Sequence, residues 1–156
     1  MSSNNIWFIF KNTSIFNEVS LLNNKPEILL VNFLNHEKYL VLIDKTIKKF
    51  NSEITWDEMW DLNQAKKRLM NNHVLYLLVR GDDVIGHVWY YGGFLYNAFV
   101  SKQRINGESQ WFIQETMKDR FNNGYLNISL YTEKWNIRAI KFWLKIGFTE
   151  LDSIDP

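Results

Sequence analysis

Residues 74–100 read VLYLLVRGDDVIGHVWYYGGFLYNAFV, and three consecutive strands follow from that stretch. Val74–Arg80 and Val84–Tyr91 are dense in β-branched and aromatic residues, and Gly81-Asp82-Asp83 between them has the composition of a hairpin turn. Gly92-Gly93 then turns the chain into a third strand, Phe94–Val100. Upstream, Ile6–Phe10 and Ile28–Leu34 are short apolar runs that suit strands buried on both faces. Between them and the hairpin lie two helices. The first is expected from Asn35 as N-cap, with Leu40, Ile43, Ile47 and Phe50 at helical spacing. The second is expected from the capping-box pattern Thr55-Trp56-Asp57-Glu58 to about Asn71. Downstream, a helix from Gly107 to Asn122, a strand Tyr125–Thr132, a helix Ile137–Ile146 and a strand Phe148–Ile154 complete the chain. Antiparallel strands at the centre with interspersed helices define an α+β sheet protein.

Composition narrows the function classes. The 156 residues suit one domain, 1–156, and 46% hydrophobic and 16% aromatic content with only two Pro argues for a real core. A net charge of +1 gives no pull toward nucleic acid or an anionic membrane. There is no cysteine, so disulfides and thiolate nucleophiles are excluded. The apolar run at Ile6 is too short to span a bilayer and has no basic leader, which makes cytoplasmic the expected location. His36, His73 and His87 lack paired-ligand spacing, so no metal is expected. Gly81–Gly86 has the glycine spacing of a P-loop, but His87-Val88 follows instead of Lys-Ser/Thr.

Two segments carry chemistry. Arg104-Ile105-Asn106-Gly107-Glu108-Ser109 opens a helix, whose first N–H groups are unpaired and carry partial positive charge, a ready anion site. Gly107 allows close backbone approach, Ser109 is small, and Arg104 adds a charge. A strand-to-helix turn with Asn106 as N-cap accounts for the same string. In the second segment, Asn136 to Phe148, Asn136 is a natural N-cap, Gly147 a natural C′ residue, and Ala139 permits close approach by a neighbour or ligand.

Together these segments resemble the GNAT superfamily of acyl-CoA-dependent N-acyltransferases. Its first motif, V-x-P-x-x-R-x-x-G-x-G/A, is matched in register by Phe99 to Ser109, with Arg104 and Gly107 identical and Ser101 in place of the proline. Its later motif, N-x-x-A-x-x-[FL]-Y-x-K-x-G-F, is matched by Asn136, Ala139, Phe142, Lys145, Gly147 and Phe148. The resemblance covers Leu75 to Phe148. It implies a mixed, mostly antiparallel sheet flanked by helices on both faces, with Phe94–Val100 and Tyr125–Thr132 as a parallel pair that splays apart. Acetyl-CoA would lie in the splay as acyl donor, with its pantetheine arm along Phe99 and Val100. The backbone of Arg104, Ile105, Asn106, Gly107, Glu108 and Ser109 would hold the pyrophosphate, and Asn136, Ala139 and Trp143 would flank the thioester.

The implied activity is direct transfer of an acetyl group to an amine, without an acyl-enzyme. Trp143 stands where the family has a Tyr credited with protonating the departing thiolate, and an indole N–H is no practical acid. Tyr131 or water is left for that role, and His87, with an ordinary pKa near 6.5, is the candidate base. The same departure favours an alternative in which the fold binds acyl-CoA without catalysis. A third reading is an oligomerising structural protein with a vestigial pocket. The family closes its sheet with two strands after the last helix, whereas one remains here. Ile6–Phe10 or Ile28–Leu34 is therefore expected to fill a sheet edge, in its own chain or in a second copy as a homodimer.

Overall fold

The structure, a computed structural model, describes residues 4–19 and 25–151. Its strands are β1 (Asn5–Lys11), β2 (Glu27–Val31), β3 (Val74–Arg80), β4 (Asp83–Tyr91), β5 (Phe94–Val100), β6 (Asn127–Glu133) and β7 (Thr149–Glu150). Its helices are α1 (Leu40–Glu53), α2 (Leu62–Met70), α3 (Glu108–Asn122) and α4 (Ile137–Ile146). One sheet runs in the order β2-β3-β4-β5-β6-β1-β7, antiparallel throughout except between β5 and β6. Among the described residues no helix is long and apolar enough to cross a membrane.

Strand alternation divides the core in two. Tyr76, Leu78, Val88, Tyr90 and Leu130 face α3 and α4, where they meet Phe112, Met117 and Ile146. Leu75, Leu77 and Trp89 point the other way, onto Ile43 and Ile47 of α1 and Leu69 of α2. Burial on both faces is why these strands read as continuous apolar runs.

Strand β6 runs Asn127–Glu133 rather than Tyr125–Thr132. Three other boundaries differ from expectation because a side chain found another partner. Strand β2 stops at Val31, since Asn32 Oδ1 accepts the N–H groups of Leu34 and Asn35 and opens a turn. Asn35 is not a helix cap; its side chain donates to the Leu30 carbonyl, and a 3₁₀ turn at His36–Tyr39 precedes α1. The segment from Thr55 is not helical. Asn51 on α1 exchanges two hydrogen bonds with the Trp60 backbone, pinning an extended loop, and α2 starts seven residues later than expected. Its capping box is Asp61 with Gln64.

The sheet edges answer the question raised by the chain ends. β2 is an edge strand, as expected for one of the two candidates. β1 is not an edge. It pairs with β6 in register from Asn5↔Glu133 to Lys11↔Asn127, and on its other side with β7, all within its own chain. The last strand is Thr149–Glu150; residues 152–154 of the expected strand lie outside the described residues.

Candidate functional site

The parallel pair touches at one point. Phe94 is bridged to Ser129, and the Ser129 N–H donates to the Gly93 carbonyl at 3.0 Å. A Cβ on Gly93 would sit 2.5 Å from the Asn127 carbonyl oxygen, so this closest approach requires glycine. Beyond that bridge no ladder joins β5 to β6, and the outer edge of β5 faces a gap.

A cavity of about 400 Å³ opens in that gap beside the start of α3. Ala98, Phe99 and Val100 form one wall, while Asn136, Ala139 and Trp143 form another. Arg104 and Ser109 line its end, with Lys102 and Arg138 nearby. Asn136 caps α4 by accepting the Ala139 N–H at 3.2 Å, which fixes the second wall.

The turn before α3 is built differently from a simple cradle. Gly107 has φ of +88° and is the N-cap, a conformation that strains any residue with a Cβ. No backbone acceptor among the described residues takes the N–H of Gly107, Ser109 or Gln110. The Glu108 carboxylate, however, is buried, pairs with Arg80 and accepts the Ile105 N–H at 2.6 Å. The Glu108 N–H itself donates to the Ile105 carbonyl. Three of the six expected cradle amides, Arg104 (to the Ser101 carbonyl), Ile105 and Glu108, are therefore already engaged. Ile105 and Asn106 are exposed and away from the cavity lining.

A second cavity, of about 320 Å³, lies on the far side of the junction. Ala98, Asn136, Ala139 and Trp143 line both. Trp143 is the largest of these shared residues and packs against Phe142 and Phe148. The second cavity opens toward the α1/α2 face, where the loop after α1 supplies Trp56, Asp57, Glu58 and Trp60. Tyr131 is on its lining, with its ring against Trp7 and Phe94 and 43% exposed.

His87 does not stand where a base would be needed. It is 3% exposed, lines neither cavity, and both ring nitrogens are engaged. Nε2–H donates to Asn97 Oδ1 at 2.6 Å, leaving Nδ1 to accept the Thr46 hydroxyl at 2.8 Å. A strand residue of alternating period points to one face only, and here that face is covered by α1. Burial pushes its pKa down to about 4, against a smaller upward pull from the Asn97 hydrogen bond.

This neutral histidine has a measurable consequence. The unfolded imidazole titrates near 6.5 and the folded one near 4, so between those values the unfolded chain binds more protons. Its contribution is complete above about pH 6.5 and is lost as pH falls toward 4, by about 3 kcal/mol in all. Denaturant midpoints measured from pH 7 to pH 4 should show a steeper loss in wild type than in His87→Gln. Parallel profiles would contradict this.

Sequence reading did not bring out Glu53, Lys102, Arg138, or the acidic and aromatic lining of the second cavity. Glu53 binds the Ser101 hydroxyl at 2.7 Å and the Lys102 N–H at 2.9 Å, contacts 48 and 49 positions away that no local pattern signals.

No family model matches the chain, and no curated protein matches it. Solved structures do, and they share one architecture: the chain has the fold of the GNAT acetyltransferases. It is similar to an aminoglycoside acetyltransferase, meta-AAC0020, from an uncultured soil metagenomic sample, at TM-score 0.63 and 18% identity over 87% of this chain and 96% of that one. An acetyltransferase of the GNAT family from Colwellia psychrerythraea matches at TM-score 0.65 and 14% identity, over 94% of this chain and 52% of that one. AAC(6')-Iy, in complex with the bisubstrate analogue CoA-S-monomethyl-acetylneamine, matches at 0.59 and 15%, over 84% and 95%.

Proposed function

We propose that residues 1–156 form a single domain of the GNAT family that transfers an acetyl group from acetyl-CoA to an amine. The observation that carries this reading is the cavity in the β5/β6 split, which reaches Ser109 at the start of α3 and is bordered by Lys102, Arg104 and Arg138. That donor set fits a polyanionic ligand. Arg104, Ser109 and the amides of Gly107, Ser109 and Gln110 would hold the phosphates. The unladdered edge of β5 at Phe99 and Val100 offers backbone groups to an extended arm. Asn136, Ala139 and Trp143 would flank the thioester.

Bound acetyl-CoA supplies an activated acyl carbon: the amine nitrogen bonds to it, the C–S bond breaks, the ammonium loses a proton and the thiolate gains one. This chain contributes orientation and water exclusion. Trp143 gives the thiolate no proton donor of useful acidity, so solvent or Tyr131 serves. A binding-only role is the second reading, and Trp143, on the cavity wall where the family has its tyrosine, is the observation that favours it.

Titration with CoA followed by thiol release from acetyl-CoA over a panel of amines tests both readings. Saturable CoA binding with release on amine addition supports transfer; binding without release supports the second reading; no binding removes both. If thiolate protonation limits turnover, Trp143→Tyr should raise it, since a general acid typically contributes about 10²–10⁴-fold. Loss of aromatic volume should lower stability by about 1–3 kcal/mol. Efficient transfer by wild type with no gain in the variant would show that the tyrosine is dispensable.

A further inference from the structure

The two cavities that meet at Trp143 carry opposite charge. On the α3 side stand Lys102, Arg104 and Arg138, and the one carboxylate, Glu53, is engaged by Ser101 and the Lys102 N–H. On the other side stand Asp57, Glu58 and Glu133, none within ion-pair distance of a Lys or Arg among the described residues. The single cation there, Arg68, lies over aromatic rings, its Cζ 4.4 Å from the Trp60 ring centroid and 5.0 Å from that of Tyr96. Trp56 and Tyr131 add further aromatic surface, and Trp56 meets Trp135 edge-on at the rim, 5.3 Å between centroids.

We propose that this aromatic-walled cleft is the acceptor site and that it takes a small linear polyamine, two or three ammonium groups separated by methylenes. The inference rests on the acyl-transfer reading for what happens at the junction, but the binding itself does not depend on it. The cavity and its continuity with the basic one carry the argument, and the carboxylates give its sign. An amine in the cleft reaches the basic cavity past Ala98, Asn136, Ala139 and Trp143, which line both. Ring faces attract alkylammonium groups and also cover the methylenes between them. Arg68 on Trp60 and Tyr96 shows that this wall already holds a cation in this geometry. With Arg68 offsetting one of the three carboxylates, two negative charges remain, more than one ammonium can neutralise. The aromatic walls suit the methylenes between ammonium groups better than the hydroxyl-bearing rings of an aminoglycoside.

The test is equilibrium titration of the full chain, without CoA, with spermidine, hexamethylenediamine, hexylamine and kanamycin, read by tryptophan fluorescence and calorimetry. Spermidine is expected to saturate, and hexamethylenediamine to bind about tenfold or more tighter than hexylamine, since each adds or lacks one charge-assisted contact. Glu133→Gln and Asp57→Asn should each weaken spermidine by about tenfold. Both variants are isosteric changes of side chains with no ion-pair partner, and CoA binding measured on the same samples should stay at the wild-type level. Equal affinity for hexylamine and hexamethylenediamine, tighter binding of kanamycin, no saturation by spermidine, or indifference of both variants would each overturn the proposal. If spermidine binds as expected and CoA does not, the transferase reading fails while the polyamine site stands. CoA binding without spermidine binding gives the reverse.

Discussion

Removing residues 1–11 is expected to unfold the protein rather than trim it. β1 lies between β6 and β7, with a seven-residue ladder to β6, and Phe8 and Phe10 are completely buried against the α3/α4 core. Truncating a buried Phe costs about 3–5 kcal/mol, so losing both approaches the whole stability of a typical protein, about 5–15 kcal/mol. Ile128 and Leu130 on β6 would lose their neighbours, and β7 would lose its partner strand. Circular dichroism and gel filtration of the truncated chain should show loss of cooperative unfolding or an altered oligomeric state, as a freshly exposed β6 edge invites pairing with another copy. Adding a peptide of residues 1–13 in trans should restore cooperative unfolding if the ladder is what was lost. A stable, monomeric truncation with the wild-type midpoint would contradict the role of β1.

The second large effect is expected at Gly107. Glutamate there would meet two obstacles: a positive φ that a Cβ strains by about 1–2 kcal/mol, and a carboxylate beside the open amides and Arg104 that would repel phosphate. In wild type, CoA at 100-fold its dissociation constant should add about 2.7 kcal/mol, a rise in Tm of about 5–10 °C at this chain length. Gly107→Glu should lower the Tm without ligand and abolish the rise. Gly107→Ala separates the causes, since it carries the strain without the charge and should keep part of the ligand response. A full CoA-induced rise in Gly107→Glu would place the phosphates elsewhere.

Much of the site was legible because its signals are local. Asn136, four residues before Ile140, acts within one turn of chain and caps α4 as expected, whereas the cap of α3 is Gly107 rather than Asn106. The three-strand run from Val74 to Val100 needs only alternation and turn residues, and it folded with boundaries within one residue of expectation. Where local signals competed, the pattern misled. Thr55-Trp56-Asp57-Glu58 has the capping-box spelling, but the grip of Asn51 on Trp60 holds that stretch extended. The same detour places Trp56, Asp57 and Glu58 on the second cavity, so the acidic cleft exists because the expected helix does not.

The sequence by itself determined the α+β element order, the turn at Gly107 and the helix from Ile137, since hydrogen bonding and side-chain period over a few residues suffice for each. Tertiary structure alone decided that β1 enters the sheet beside β6, that His87 is a neutral strut between Thr46 and Asn97, and that Glu108 turns inward to Arg80. Each of those outcomes depends on which distant group meets a buried strand or charge: β6 lies over 100 residues from β1, and Thr46 lies 41 from His87. A buried polar group takes whichever partner the packed fold brings within reach, because leaving it unpaired costs about 1–3 kcal/mol, and that choice is made only when the sheet closes.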